Sequence, residues 1–114
     1  MSDCIFCKIA AGEIQADIVF ENEWVLAFHD VRPRAPVHAL IIPKRHIATL
    51  DDLSGDDCVL AGELLLAAQK VARRTDIAEK GFRTVINCRA DAGQEVFHLH
   101  LHVMGGRHLH WPPG

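Results

Sequence analysis

The 114-residue sequence has no apolar run long enough to cross a bilayer, no internal repeat and no low-complexity segment. Its N-terminus lacks the basic and apolar regions of a secretory signal, so the expected location is the cytoplasm. Basic charge is not in surplus either. With a formal net charge of −3 and a pI near 6.2, no broad positive field exists to grip a nucleic-acid backbone, and an anionic ligand must be held by local donors. Four cysteines in a chain without an export signal are read as core residues or metal ligands, not as disulfides. The remaining composition, 49% hydrophobic and 24% charged, is that of a soluble domain with one core.

What the sequence does contain is concentrated in Phe97-His98-Leu99-His100-Leu101-His102-Val103-Met104. Alternation with a period of two predicts a half-buried β-strand, with Phe97, Leu99, Leu101 and Val103 on one face and three histidines on the other. Alternate residues on a strand lie roughly 7 Å apart and the outer two about 13 Å apart. Zinc holds nitrogen ligands at about 2.0–2.1 Å, so one ion bound by the whole triplet would need a sharp bend. The row suits catalysis better: a central imidazole nucleophile with neighbours that position it and handle protons. Histidine fits that role because its ordinary pKa lies near neutrality. The bland alternative is a chance cluster on a polar sheet face.

Upstream, Cys4-Ile5-Phe6-Cys7-Lys8-Ile9 has the apolar spacing of a short helix, and Cys4-x-x-Cys7 can grip one side of a tetrahedral zinc or simply fill the core. Residues 18–20 and 24–28 read as a hairpin across the turn Glu21-Asn22-Glu23. Asp30 follows, either as an ordinary turn-former or as an acceptor for ligand hydroxyls, before the prolines of Arg32-Pro33-Arg34-Ala35-Pro36 break the strand. Residues 37–43 form a third strand that places His38 on one face with Leu40 and Ile42; Lys44-Arg45-His46 offers another metal ligand. Ser54 is the expected N-cap of a long helix whose buried stripe would be Cys58, Ala61, Leu64, Leu65, Ala68, Val71 and Ala72. Leu60 and Leu66 fall outside that stripe and hint at a partner subunit. Residues 82–87 read as a fourth strand, and the glycine-bearing loop 88–95 is a candidate anion nest. The Gly- and Pro-rich tail 105–114 should lack regular structure.

The run from His98 to Met104 matches the His-φ-His-φ-His-φ-φ signature of the histidine triad superfamily, where φ is apolar. The chain resembles its histidine triad nucleotide-binding (Hint) branch, with further matches at Phe28-His29-Asp30-Val31, Ala35-Pro36-Val37-His38, Ile42-Pro43-Lys44, Gly93-Gln94-Glu95-Val96, Gly105-Gly106-Arg107 and His110-Trp111-Pro112-Pro113-Gly114. The resemblance implies an α+β fold: a five-stranded antiparallel sheet with one long and one short helix, in one domain over residues 1–114. It implies a homodimer with a continuous ten-stranded sheet, the tail 105–114 docking near the dimer's active site. The implied activity is hydrolysis of the P–N bond of purine nucleoside 5′-phosphoramidates, of the AMP-amine type, or of related acyl-nucleotides.

Carried over residue by residue, the resemblance implies that His100 attacks the α-phosphorus, forming a nucleotidyl-histidine intermediate that water resolves. His102 would bind the phosphate and the leaving group, with His38 and His98 in support. Asp30 would accept from the ribose hydroxyls; Ile5, Phe6, Ile9, Phe28, Val31 and Leu40 would line the base pocket. Asn87, Gly93 and the amides of Glu95 and Val96 would hold the phosphate, and Trp111 would reach the partner's site. Some relatives carry serine where Glu95 stands, so its backbone is the expected contributor. No cofactor is implied for the chemistry, but Cys4, Cys7, His46 and His98 would form a structural zinc site. Three rival functions remain: a zinc hydrolase that activates water, a non-catalytic purine-nucleotide-binding or scaffold dimer, and a dinucleoside polyphosphate hydrolase.

Overall fold

The computed structural model describes residues 3–114. A short helix α1 (Ile5–Ala10) precedes strands β1 (Ile18–Glu21), β2 (Val25–His29) and β3 (Val37–Pro43); the long helix α2 (Cys58–Arg74) and strands β4 (Phe82–Val85) and β5 (Leu101–Gly105) follow. The strands form one sheet in the order β1-β2-β3-β5-β4, every neighbouring pair antiparallel. The α+β class, the five-stranded antiparallel sheet and the pairing of one long with one short helix are as expected. No helix among the described residues is long and apolar enough to cross a membrane.

Alternation along the central strands gives the sheet two buried faces. Val25 and Ala27 of β2, Ala39 and Ile41 of β3, and Leu101 and Val103 of β5 pack with α2 in the larger core. Leu26, Phe28, Leu40 and Ile42 point to the opposite face, where Phe6 of α1 completes a second cluster. With only six residues, α1 covers only part of that face. His38 and His102 lie on the part it leaves, on adjacent strands where Leu40 pairs with His102 and His38 with Met104.

Several boundaries differ from the sequence expectation, each for a local reason. The histidine strand starts at Leu101, not at Phe97. Residues 98–99 bond instead to the end of β3 and the segment after it: the Leu99 N–H donates to the Ile47 carbonyl (2.6 Å) and His98 Nε2–H to the Pro43 carbonyl (2.8 Å). Phe97, placed by alternation on the buried face, is therefore exposed, whereas Leu99 is buried. Trp24 lies outside β2 because the Asn22 carboxamide oxygen accepts from the N–H groups of both Trp24 (2.8 Å) and Val25 (3.0 Å), lengthening the turn. β4 ends at Val85, two residues early.

Ser54 caps a single 3₁₀ turn, Gly55–Asp57, that leads into α2: its Oγ accepts from the Asp56 N–H (3.2 Å), and the Asp57 carboxylate accepts from the Ser54 N–H (2.9 Å) and pairs with Arg45. The packed face of α2 is Leu60, Leu64, Ala67, Ala68, Val71 and Ala72. The expected stripe was therefore rotated: Leu60 belongs to it, while Cys58 and Leu65 are exposed, as are Val59 and Leu66. Leu60→Ala should cost about 2–5 kcal/mol as a cavity forms, whereas Cys58→Ala should stay within about 0.5 kcal/mol in urea unfolding. Equal costs would contradict this packing.

Candidate active site

His100 and His102 stand side by side with ring centroids 5.1 Å apart, and His38 meets His102 at 5.2 Å. Their hydrogen bonds fix their tautomers. His100 Nδ1–H donates to the His98 carbonyl (2.7 Å), so the Nε2 lone pair is bare. The Arg34 N–H donates to His38 Nδ1 (2.9 Å), so the hydrogen of that ring sits on Nε2 and points to His102 Nδ1 (2.9 Å). His102 must then carry its own hydrogen on Nε2. Adjacent rings thus offer opposite functions: a lone pair on His100 and a donor on His102.

Asp30 acts as the turn-former with one of its two carboxylate oxygens. One oxygen accepts from the Arg32 N–H (2.9 Å), an ordinary Asx turn. The other lies 3.5 Å from His38 Nε2. Asp30, His38 and His102 lie close enough to suggest a metal site, but the hydrogen on His38 Nε2 occupies the direction a cation would need.

Burial sets the charge of these rings. Desolvation is the main reason that the His102 pKa falls to about 4, helped by the neighbouring His100 and His38 and opposed by Asp30. His38 is lowered as well, again chiefly by burial, with Asp30 opposing and Arg34 adding to the effect. Both are neutral at pH 7.

Phe6 forms the apolar wall beside the histidines, edge-on to His100 at 5.2 Å and to Phe28 at 5.6 Å. Leu40 is buried in the same cluster and Ile9 packs against it. Ile5 and Val31, expected in this lining, lie outside the cluster; Val31 is 92% exposed because it sits in the turn beyond β2. Trp111 is also exposed, with the Arg83 guanidinium 6.0 Å from its ring centroid.

The loop after β4 is shaped by a residue whose role no sequence pattern announces. Gln94 is buried; its Nε2 donates to the Ala48 (2.8 Å) and Val96 (3.1 Å) carbonyls and its Oε1 accepts from the Arg89 N–H (2.8 Å). Gly93, at φ +80°, makes the left-handed turn that lets the chain close around this amide. Asn87 and Val96 are half-buried and Glu95 is exposed. The Asn87 and Glu95 side chains make no hydrogen bond among the described residues.

The second cluster of chemistry lies behind the first. His98 is fully buried; with its Nε2–H given to Pro43, its Nδ1 lone pair faces Cys4 Sγ (3.3 Å), Cys7 Sγ (3.5 Å) and His46 Nδ1 (3.2 Å). His46 Nδ1 lies 3.2 Å from Cys7 Sγ. Two sulfurs and two imidazole nitrogens within 4.8 Å of one another are the donor set of a closed tetrahedral site. A backbone carbonyl holding the other nitrogen of His98 is the usual outer support of such a ligand.

The HIT domain family model matches residues 11–109. The chain belongs to the HIT family. A HIT-like protein of Synechocystis sp. is 52% identical over 112 residues, covering 98% of this chain and 97% of its relative. Among solved structures, a HIT family hydrolase from Legionella pneumophila superposes with a TM-score of 0.96 at 53% identity, covering 98% of this chain and all of the other. A histidine triad nucleotide-binding protein from Candida albicans reaches 0.81 at 30% identity, covering 96% of this chain and 83% of that one. The histidine row is thus divided: His98 lies with the two cysteines and His46, while His100 and His102 stand together beside His38.

The depressed pKa of His102 has a consequence for stability. Folding favours its neutral form, so its contribution is complete above the ordinary histidine pKa of 6.5 and is lost as pH falls from there towards about 4. Urea midpoints should decline over that window, and His102→Asn should flatten the decline. An unchanged slope would contradict the burial of a neutral ring.

Proposed function

We propose that this HIT protein hydrolyses nucleoside 5′-phosphoramidates, with purine nucleotides carrying an amine on the α-phosphate as the substrate class. The observation that carries the reading is the tautomer pair of His100 and His102. A bare Nε2 on His100 is a nucleophile that needs no base to activate it. As the Nε2–P bond forms, the P–N bond to the amine breaks with its electron pair on nitrogen; that nitrogen takes a proton from solvent, which the attacking water later gives back, and the neutral amine leaves. The positive charge on the imidazole is then held by the Nδ1–H bond to the His98 carbonyl. The His102 Nε2–H donates to a phosphoryl oxygen next to the reacting bond, and His38 supports it from behind. Water attacks the nucleotidyl-histidine, releases the nucleoside monophosphate and returns His100 to its starting form. The Legionella relative is called a hydrolase and the Candida relative a nucleotide-binding protein, which supports both halves of the proposal.

In this reading Phe6, Phe28, Leu40 and Ile9 flank the base, Asp30 accepts from the ribose, and Asn87, Gly93 and the amides of Glu95 and Val96 hold the phosphate. Cys4, Cys7, His46 and His98 hold a structural zinc, which would cross-link α1 to the histidine segment and take no part in the displacement. One HIT domain spans the chain. The exposed apolar residues Val59, Leu65 and Leu66 of α2, together with the open edge of β4, suit pairing of two copies into a ten-stranded sheet, with Trp111 of one copy near the site of the other.

Hydrolysis of adenosine 5′-phosphoramidate tests the proposal. His100→Ala should lower kcat/KM by about 10³-fold or more, the scale on which loss of a covalent nucleophile acts. Turnover should survive brief chelation while the fold persists. Chelator-sensitive turnover by folded protein would favour a zinc hydrolase, and tight nucleotide binding without turnover would favour a scaffold. Separately, Cys4→Ala and Cys7→Ala should each abolish the stoichiometric zinc found by elemental analysis; unchanged zinc would sink the metal assignment.

A further inference from the structure

The hydrogen bonds that set the tautomer of His38 do not end at Arg34. Arg34 belongs to a turn, residues 30–36, that contains two prolines and lies outside the ladder, so few backbone groups are available to hold it. Its N–H is the donor to His38 Nδ1 (2.9 Å). Its carbonyl accepts from Arg107 Nη2 (2.9 Å), a residue 73 positions away in the tail that follows β5. Arg107 Nη1 donates to the His108 carbonyl (3.1 Å), so the guanidinium bridges the tail and the turn. Among the described residues Arg107 forms no ion pair, whereas Lys44, Arg45 and Arg89 all do. The approach of tail to turn is close. Gly106 stands at φ +93°, and a Cβ there would come 2.9 Å from Pro36 Cβ.

We infer that Arg107 is a positioning residue for His38 and His102, acting through the carbonyl of Arg34. A charge-assisted bond to this carbonyl holds the turn so that the Arg34 N–H meets Nδ1 of His38. Without that N–H, His38 is free to carry its hydrogen on Nδ1 and present a bare Nε2 to His102. His102 would answer with a hydrogen on its own Nδ1, leaving its Nε2 bare where the phosphoryl oxygen needs a donor. One lost anchor thus inverts two rings without touching either. The catalytic consequence rests on the function proposed above; the tautomer consequence does not.

Arg83 supplies the control, because its Nη2 donates to the Leu109 carbonyl (3.3 Å) and so ties down the same tail without reaching the turn. Nitrogen-15 NMR of histidine-labelled protein reads each ring directly. In the wild type, His38 and His102 should both be Nε2–H tautomers. Arg107→Gln should mix the tautomers of these two rings while leaving the Nδ1–H tautomer of His100 intact, and Arg107→Lys, which keeps the charge but not the fork, should show a smaller shift in the same direction. Arg83→Gln should leave the spectrum unchanged. In the phosphoramidate assay Arg107→Gln should lower kcat about tenfold, the scale of one charge-assisted hydrogen bond, with little change in KM. Wild-type tautomers in both Arg107 variants, or an equal disturbance in Arg83→Gln, would overturn the inference. A wild type without turnover would defeat the proposed activity alone, since the spectra still judge the role of Arg107.

Discussion

The site depends on the immobilisation of His98. Three of its polar groups are held in three different directions. Nε2–H binds the Pro43 carbonyl, Nδ1 faces the Cys4–Cys7–His46 cluster, and the backbone carbonyl accepts from His100 Nδ1. The ring is wholly buried, so displacement would leave polar atoms without water and without partners, a cost of about 1–3 kcal/mol for each. A carbonyl held this firmly can specify the tautomer of the next histidine in the row. The bare Nε2 of His100 follows from that.

Holding His98 there requires the chain to leave the sheet. A strand running through residues 97–100 would send its backbone bonds across to β3, whose last residue, Pro43, has no N–H to return. The segment turns instead to residues 43–47, which brings His46 and His98 to one point. From Leu101 onward it joins the ladder, with Leu101 and Val103 sealing the core under α2. The histidine row is therefore half loop and half strand. Its loop half serves the sulfur cluster, and its strand half lies on the face that α1 leaves uncovered.

What could be read from the sequence was what depends on local pattern. Period-two alternation located β2, β3 and β5 well enough to put His38 on the face of Leu40 and Ile42 and His102 on the face opposite Leu101 and Val103, and the histidine motif pointed to the family. Phe97 and the start of β5 were misplaced because alternation cannot register that the Leu99 N–H has a better partner at Ile47. The α2 stripe was rotated because that helix is apolar on more than one side, so periodicity alone does not choose between Leu60 and Leu65. Gln94 and Arg107 stand inside family motifs, yet nothing in those motifs reveals what they do. They act on backbone carbonyls and amides distant in sequence, at Ala48 and Arg34, which no pattern of side chains discloses.

In the proposed reaction an acidic protein has to receive a phosphate on uncharged rings. Burial keeps His38 and His102 uncharged at neutral pH, so these rings offer N–H dipoles and no formal positive charge. Protonated His38 and His102 would attract an anion more strongly, but would not offer the alternating donor and acceptor nitrogens on which the proposed reaction relies. Asp30 lies near enough to His38 to favour a cation there, yet desolvation outweighs it. Burial therefore gives these two rings directed N–H donors in place of charge, and in the proposed reaction binding has to come from aimed donors. This is the arrangement to which the Arg34 amide contributes, since the direction of the His102 N–H is set one ring and one peptide away from the phosphate it would meet.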